Sequence, residues 1–323
     1  MTQHDSDTAQ DAGDAALTFA HFTDPHLTAP EGASALELAN KRVLGYLSWR
    51  RRRRFLHRPE VLAALVADLK RSPAQQIAIT GDLTQVGLPA ECRAAKEWLE
   101  ELSPPGRVCL VPGNHDRYVP ADWGRTIGLW ADYVKGESIA ATARANAGTR
   151  DAFPTLITRG PVAFIGLSSA RASAPFMATG RLGREQRSRL ADLLKRTGDQ
   201  NLFRVVLIHH PPVPGSYKWR KRLTDDQATA ALIEGHGAEL VLHGHTHRTV
   251  VHRLHGPDGK PIPVVGLPSA SEPGTRPERA ARYSLWTVRR TEDGFDLAHT
   301  SRVYDAAEGA LGDGDAWNPL ASS

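Results

Sequence analysis

Five apolar runs in this chain stop on the same kinds of residue. "LTFAHFT" (17–23) runs into Asp24-Pro25-His26, "QIAIT" (76–80) into Gly81-Asp82, and "RVCLVP" (107–112) into Gly113-Asn114-His115-Asp116. "FRVVLI" (203–208) runs into His209-His210, and "ELVLH" (239–243) into Gly244-His245-Thr246-His247. Runs of this length bounded by turn residues read as buried strands. In open α/β sheets the carboxyl ends of the strands form the crevice where ligands bind. A chain that repeats one ending five times is therefore held to an α/β fold in which those ends converge, although Asp24 and His247 are far apart in sequence.

Between the runs lie helical patterns at 58–71, 89–102, 183–196 and 224–235, the last with Thr224 read as its cap and Gly235 as its stop. Strand-like runs at 162–167, 249–254, 262–267, 283–288 and 294–299 complete the set. The first half reads as β-α-β and the last part as mostly β, which suggests two packed mixed β-sheets flanked by helices.

Net charge is only +4, yet the charge is unevenly placed. Residues 1–16 carry Asp5, Asp7, Asp11 and Asp14 without a base, and 305–323 carry Asp305, Glu308, Asp313 and Asp315 without one. Both ends are expected to be disordered acidic tails, leaving a strongly basic domain over 17–304. A basic body suits anionic partners such as phosphate esters, nucleic acid or lipid head groups. The longest apolar runs fall well short of a membrane span, and no signal pattern opens the chain, so a cytoplasmic protein is expected. Cys92 and Cys109 fit no disulfide framework and no zinc spacing, and read as small buried hydrophobes.

The strand-end residues are metal-ligand types. Asp24, His26, Asp82, Asn114, His209, His245 and His247 are seven candidates, too many for one four-coordinate ion. Two ions sharing a carboxylate would use them all. Mixed imidazole and carboxylate donors suit Mn, Fe, Zn or Ni rather than Mg or Ca. Two such ions can clamp the attacking and leaving oxygens of a displacement at phosphorus.

The ordered blocks "TGDLT", "VPGNHD", "HHPP" and "HGHTH", after Asp24-Pro25-His26, resemble those of the calcineurin-like metallophosphoesterase superfamily. The resemblance covers 17 to about 248 by motif. It implies a four-layer αββα sandwich and a binuclear metal site of Mn, Fe or Zn. By position, Asp24, His26, Asp82 and His247 would hold one metal and Asp82, Asn114, His209 and His245 the other, with Asp82 bridging. The family pattern favours His209 over His210, whose side chain points the other way in an extended chain. His115 would steady the phosphoryl oxygens or protonate the leaving group, and Asp116 would orient His115. A hydroxide held between the metals would attack phosphorus.

"TGDLTQVGLPAEC" and "GHTHR" look most like the bacterial cyclic-nucleotide and glycerophosphodiester phosphodiesterase branch. A metal-dependent phosphodiesterase for a small or nucleotide-like diester is the first reading. The second is a peripheral hydrolase, at the inner membrane surface, of a lipid-linked phosphoester or pyrophosphate of the UDP-diacylglucosamine type. A non-catalytic scaffold of the same fold is a third, and it predicts lost ligands. No nucleic-acid partner is expected beyond a nucleotide-like substrate.

The insert 31–57 holds the consecutive arginines Arg50 to Arg54 behind Leu44, Tyr46, Leu47 and Trp49. It reads as a solvated helical face, as an anionic membrane contact through 43–56, or as a holder of an anionic substrate or nucleic acid. A second insert, 119–140, offers Trp123, Trp130 and Tyr133 as a cleft wall or as plain packing. Lys218, Arg220, Lys221 and Arg222 follow the fourth block and would make the cleft mouth basic if they meet the arginine run.

Overall fold

The computed structural model describes residues 16–27, 29–136, 152–257 and 259–314. Two six-stranded sheets form its centre. In the first, β1 (Leu17–Phe22) lies between β2 (Gln76–Ile79), parallel to it, and β10 (Arg282–Thr291), antiparallel. The parallel side continues to β3 (Val108–Leu110), and the antiparallel side to β11 (Gly294–Asp305) and β12 (Ala310–Asp313). The second sheet runs β4 (Thr155–Arg159), β5 (Val162–Gly166), β6 (Phe203–Leu207), β7 (Leu240–His243), β9 (Pro261–Gly266), β8 (Val250–His255). Its middle strands β5, β6, β7 and β9 are parallel, and its outer pairs are antiparallel.

Side-chain alternation shows how the layers stack. On β6, Val205 and Leu207 enter the core shared with the first sheet, while Val206, and Ile208 just past the strand, face outward onto a second core. Strand β7 does the same with Leu240 and Leu242 against Val241. Strands buried on both faces read as continuous apolar runs, which is why these were legible as strands. Between the sheets, the Phe19 and Phe164 rings meet edge to face at 5.0 Å, and Phe203 and Phe295 at 5.5 Å. The helices Pro59–Arg71 and Pro89–Leu102 cover the outer face of the first sheet through Leu65, Leu69 and Leu99. Arg184–Asp199 and Asp226–His236 cover the second through Leu190, Leu194 and Ile233. The result is the four-layer αββα sandwich.

Three expectations change. The C-terminal acidic segment is no loose tail as far as Gly314: β12 pairs with β11, and Asp313 Oδ1 accepts from Arg302 Nη1 at 2.5 Å. The fourth helix is displaced at both ends from the pattern at 224–235. Asp225, not Thr224, is the N-cap of the fourth helix, and Gly237 at φ 79°, not Gly235, ends it. Thr224 instead donates its hydroxyl to the Gly180 carbonyl. Finally, Trp130 and Tyr133 are core residues rather than a cleft wall, donating to the Cys92 and Ser103 carbonyls. The rest of that insert beyond 136 lies outside the described residues, as do the N-terminal segment 1–15 and 315–323. Cys92 and Cys109 are buried and form no disulfide, and Cys109 Sγ accepts from Gln76 Nε2 at 3.3 Å.

Candidate metal centre

The strands β1, β2, β3, β6 and β7 all end on one side of the molecule, and the chain turns sharply just past each end. Seven non-glycine residues adopt positive φ among those described, and five of them are candidate ligands: Asp24, His26, Asp82, His245 and His247. A left-handed residue costs about 1–3 kcal/mol and persists only where its surroundings over-determine it. Here cross-strand bonds do so. Asp24 N–H donates to the Gly81 carbonyl at 3.0 Å, His26 N–H to Asp82 at 3.1 Å and Gly244 N–H to His209 at 3.1 Å. Two glycines are dictated by close approach: a Cβ at Gly113 would overlap the Asp82 carboxylate, and one at Gly244 would overlap Thr23 and Asp24.

The imidazoles are fixed from behind. His26 Nδ1 donates to the Thr84 carbonyl at 3.1 Å, His209 Nδ1 to Thr80 at 2.7 Å, and His245 Nε2 to Lys221 at 2.8 Å. A carbonyl accepts only, so each ring keeps its proton there and turns its other nitrogen inward, the arrangement metal-ligating histidines adopt. Inside, His209 Nε2 lies 3.3 Å from Asp82 Oδ2 and 3.2 Å from Asn114 Oδ1. His247 Nε2 lies 3.2 Å from Asp24 Oδ1 and 3.5 Å from His26 Nε2. Donor atoms of Asp24, His26 and Asp82 fall within 4.8 Å of one another, and so do those of Asp82, His209 and His245. Asp82 belongs to both groups.

The donors fit cations. Asp24 Oδ1 is buried without a hydrogen bond, a costly state for a carboxylate oxygen unless positive charge stands nearby. Burial pulls His209 and His247 down, but Asp82 and Asp24 outweigh it and raise both to about 9. The carboxylates thus draw positive charge to the two places where the clusters form. With mixed nitrogen and oxygen donors, transition-metal ions meet this demand.

His210 turns away, its Nδ1 on Ser169 Oγ at 2.8 Å and its Nε2 on the Ala178 carbonyl at 3.1 Å. His243 is a core residue bonded to the Gly244 carbonyl. Asp116 corrects the expectation: its carboxylate does not orient His115. It accepts the backbone N–H groups of Asp82, Thr84 and Gly113 at 2.8–3.0 Å and the Thr84 hydroxyl at 3.1 Å, stapling two strand-end loops together. His115 is oriented instead by Nδ1 donation to the Gln85 carbonyl at 2.6 Å, with Arg53 Nη1 3.4 Å from its Nε2. Asp116→Ala leaves three backbone N–H donors without an acceptor, while the Thr84 hydroxyl keeps the His115 carbonyl. It should lower folding stability by about 3 kcal/mol, read as a fall in the urea midpoint, whereas a pure His115 partner would alter turnover alone.

His57 was missed by the sequence reading. Its donor atom lies within 4.8 Å of those of His26 and His247, its ring is 4.2 Å from that of His26, and Ser271 Oγ holds its Nδ1 at 3.0 Å. A lone histidine after an arginine run carries no spacing signal. His57→Ala should weaken metal binding about 10-fold in a competition titration with a chromophoric chelator. Unchanged affinity would leave His57 a packing residue.

The clusters open into a pocket of about 270 Å³. Its walls carry Arg52, Arg53, Lys221 and Arg279 against one carboxylate beyond the clusters, Glu272. The arginine run and the 214–223 segment therefore do meet at the mouth. Burial is the main pull lowering Lys221, and Lys218, Arg52 and Arg53 add to it. Arg53, in a π-helical turn Trp49–Arg53, reaches inward: Nη1 lies 2.8 Å from His115 Nδ1, and Nη2 donates to the Gly45 carbonyl at 2.8 Å. Single π-turns recur at functional sites.

No curated protein sequence matches this chain. Among solved structures, it resembles a purple acid phosphatase from yellow lupin seeds, with 14% identity, a TM-score of 0.54 and coverage of 94% of this chain and 53% of that one. For a NAD nucleotidase of Haemophilus influenzae the values are 12%, 0.50, 93% and 54%. For a dimetal phosphatase from Danio rerio they are 15%, 0.50, 90% and 99%. The chain spans about half the length of the nucleotidase and the lupin enzyme. Identities this low show a common fold. The pattern of the calcineurin-like phosphoesterases matches residues 17–249, the stretch that holds all seven candidate ligands, and the chain belongs to that family.

Proposed function

We propose that the chain is a binuclear metal-dependent phosphodiesterase acting on a small or nucleotide-like diester. The observation that carries the reading is Asp82, fully buried and common to both donor clusters, where it would serve as a carboxylate shared by two ions. Asp24, His26, Asp82 and His247 would hold one ion, and Asp82, Asn114, His209 and His245 the other. When bound, such ions lower the pKa of water and neutralise charge developing at phosphorus.

The chain's own residues do the rest. The Asp24 and Asp82 carboxylates would fix the ions' positions, and the carbonyl-anchored imidazoles aim their other nitrogens at the clusters. His115 presents Nε2 over the pocket, where it can steady a phosphoryl oxygen or carry a proton to the leaving alkoxide. Arg53 brings a half-buried guanidinium beside it, with Nε unpartnered. Arg53→Met keeps the stem and removes the charge. It should lower kcat/KM about 10- to 100-fold through KM, with metal content unchanged.

The direct test is a paired assay on manganese-loaded protein, bis(p-nitrophenyl) phosphate against p-nitrophenyl phosphate, each with and without chelator. Chelator-sensitive hydrolysis favouring the diester supports the proposal. A preference for the monoester removes the diesterase reading, and inactivity on both with two ions bound removes the small-diester reading.

A further inference from the structure

We propose that the rim of the pocket docks onto an anionic phospholipid bilayer, so that the site meets a phosphoester borne by a lipid. Six large apolar side chains are exposed among the described residues: Leu36, Val43, Leu47, Phe55, Phe176 and Trp219. Scattered single exposures are ordinary, but a concentration of them marks an interaction site. All six lie on three segments, 35–56, 171–178 and 214–222, and each segment also lines the pocket. Ser48, Arg52 and Leu56 come from the first, Ala178 from the second, Tyr217 and Lys221 from the third.

The segments form one continuous surface. Lys41 Nζ donates to Ser173 Oγ and to the Met177 carbonyl, both at 2.9 Å, joining the first to the second. Ala178 N–H donates to the Arg220 carbonyl at 2.9 Å, joining the second to the third. The apolar residues are displayed rather than left over. Phe176 is 78% exposed at the tip of a turn, in the left-handed backbone (φ 63°) that a bulky aromatic avoids. Folding alone gives no return for that placement.

Charge selects the occupant. The three segments carry twelve lysines and arginines against a single carboxylate, Glu37. Arg50, Arg51, Arg52, Arg54, Lys218, Arg220 and Arg222 are exposed. Two exposed aromatics carry an arginine on the ring, Arg54 over Phe55 at 4.6 Å and Arg220 over Trp219 at 5.1 Å. Aromatic and aliphatic side chains interleaved with cations are what a headgroup layer accepts: the rings enter the interface while the charges stay with the phosphates. A second protein copy would bring twelve more bases to the same face. Nucleic acid would account for the cations but not for Leu36, Val43 and Leu47. Among the described residues no helix is long and apolar enough to cross a membrane, so the contact is peripheral.

The proposal deepens the phosphoesterase reading and rests on it for what docking serves, but docking itself is measured without turnover. The manganese-loaded full chain is spun down with vesicles of phosphatidylcholine alone or mixed equally with phosphatidylglycerol. Co-sedimentation with the mixed vesicles only, released by high salt, is expected. Replacing Arg50, Arg51 and Arg54 together by Ser should weaken it on the order of 100-fold. Replacing Leu47, Phe55, Phe176 and Trp219 together by Ser should weaken it at least about 10-fold. Both variants should hydrolyse bis(p-nitrophenyl) phosphate as the parent does, since none of these residues lines the pocket. Three results would overturn the proposal: no binding by the folded parent, full binding by the apolar variant, or a dimer in solution that these substitutions split. Vesicle binding without hydrolysis would support docking and count against the phosphoesterase reading instead.

Discussion

Asp82→Asn is expected to abolish turnover, by on the order of 10³-fold or more, and to leave less than one tightly bound ion per chain. The asparagine keeps the size of the side chain, and with it the fold. One Asp82 oxygen accepts the His115 backbone N–H at 2.7 Å and the other faces His209 Nε2 at 3.3 Å. An amide can satisfy the first contact with its oxygen, but it then turns an NH₂ toward the second cluster. It also removes the one negative charge common to both clusters. Metal analysis after gel filtration, alongside the paired nitrophenyl assay, gives the answer. Two ions retained per chain would show that Asp82 does not bridge.

His115→Ala is expected to separate chemistry from metal binding. It is the backbone N–H of residue 115 that holds the Asp82 carboxylate, and alanine keeps it. The ions should stay while turnover falls about 10²- to 10⁴-fold. The loss should be largest for alkyl leaving groups, which need a proton, and smallest for p-nitrophenolate, which does not. Equal losses on both would remove the acid role and leave contact with the phosphoryl oxygens as the function of Nε2.

The sequence made the strand ends legible because each combines a short apolar run with a turn and a ligand-type side chain, a conjunction that local structure alone does not require. The shared core was equally legible, since β6 and β7 are apolar on both faces. What escaped was whatever depends on distant neighbours. The strand β4 reads "TLITR", too short and polar to stand out, and is a strand because β5 pairs with it. β12, "ALGD", exists because Arg302 and β11 hold it. His57 is turned toward the cluster by Ser271, more than two hundred positions away, and nothing near His57 announces it. Asp116 sits beside His115 in sequence, which suggested a pair. The tight turn sends its carboxylate the other way, to the backbone of the neighbouring loop.

The division of the ligands among five strand ends bears on how the protein acquires its metals. Each end supplies one or two donors, and the last pair, His245 and His247, lies beyond the middle of the chain. During synthesis the emerging polypeptide is therefore a poor chelator: Asp24, His26 and Asp82 leave the ribosome long before their partners. Ions can be captured only after both sheets have closed, and a fragment that stops short of residue 245 would leave metals to the competing ligands of its surroundings.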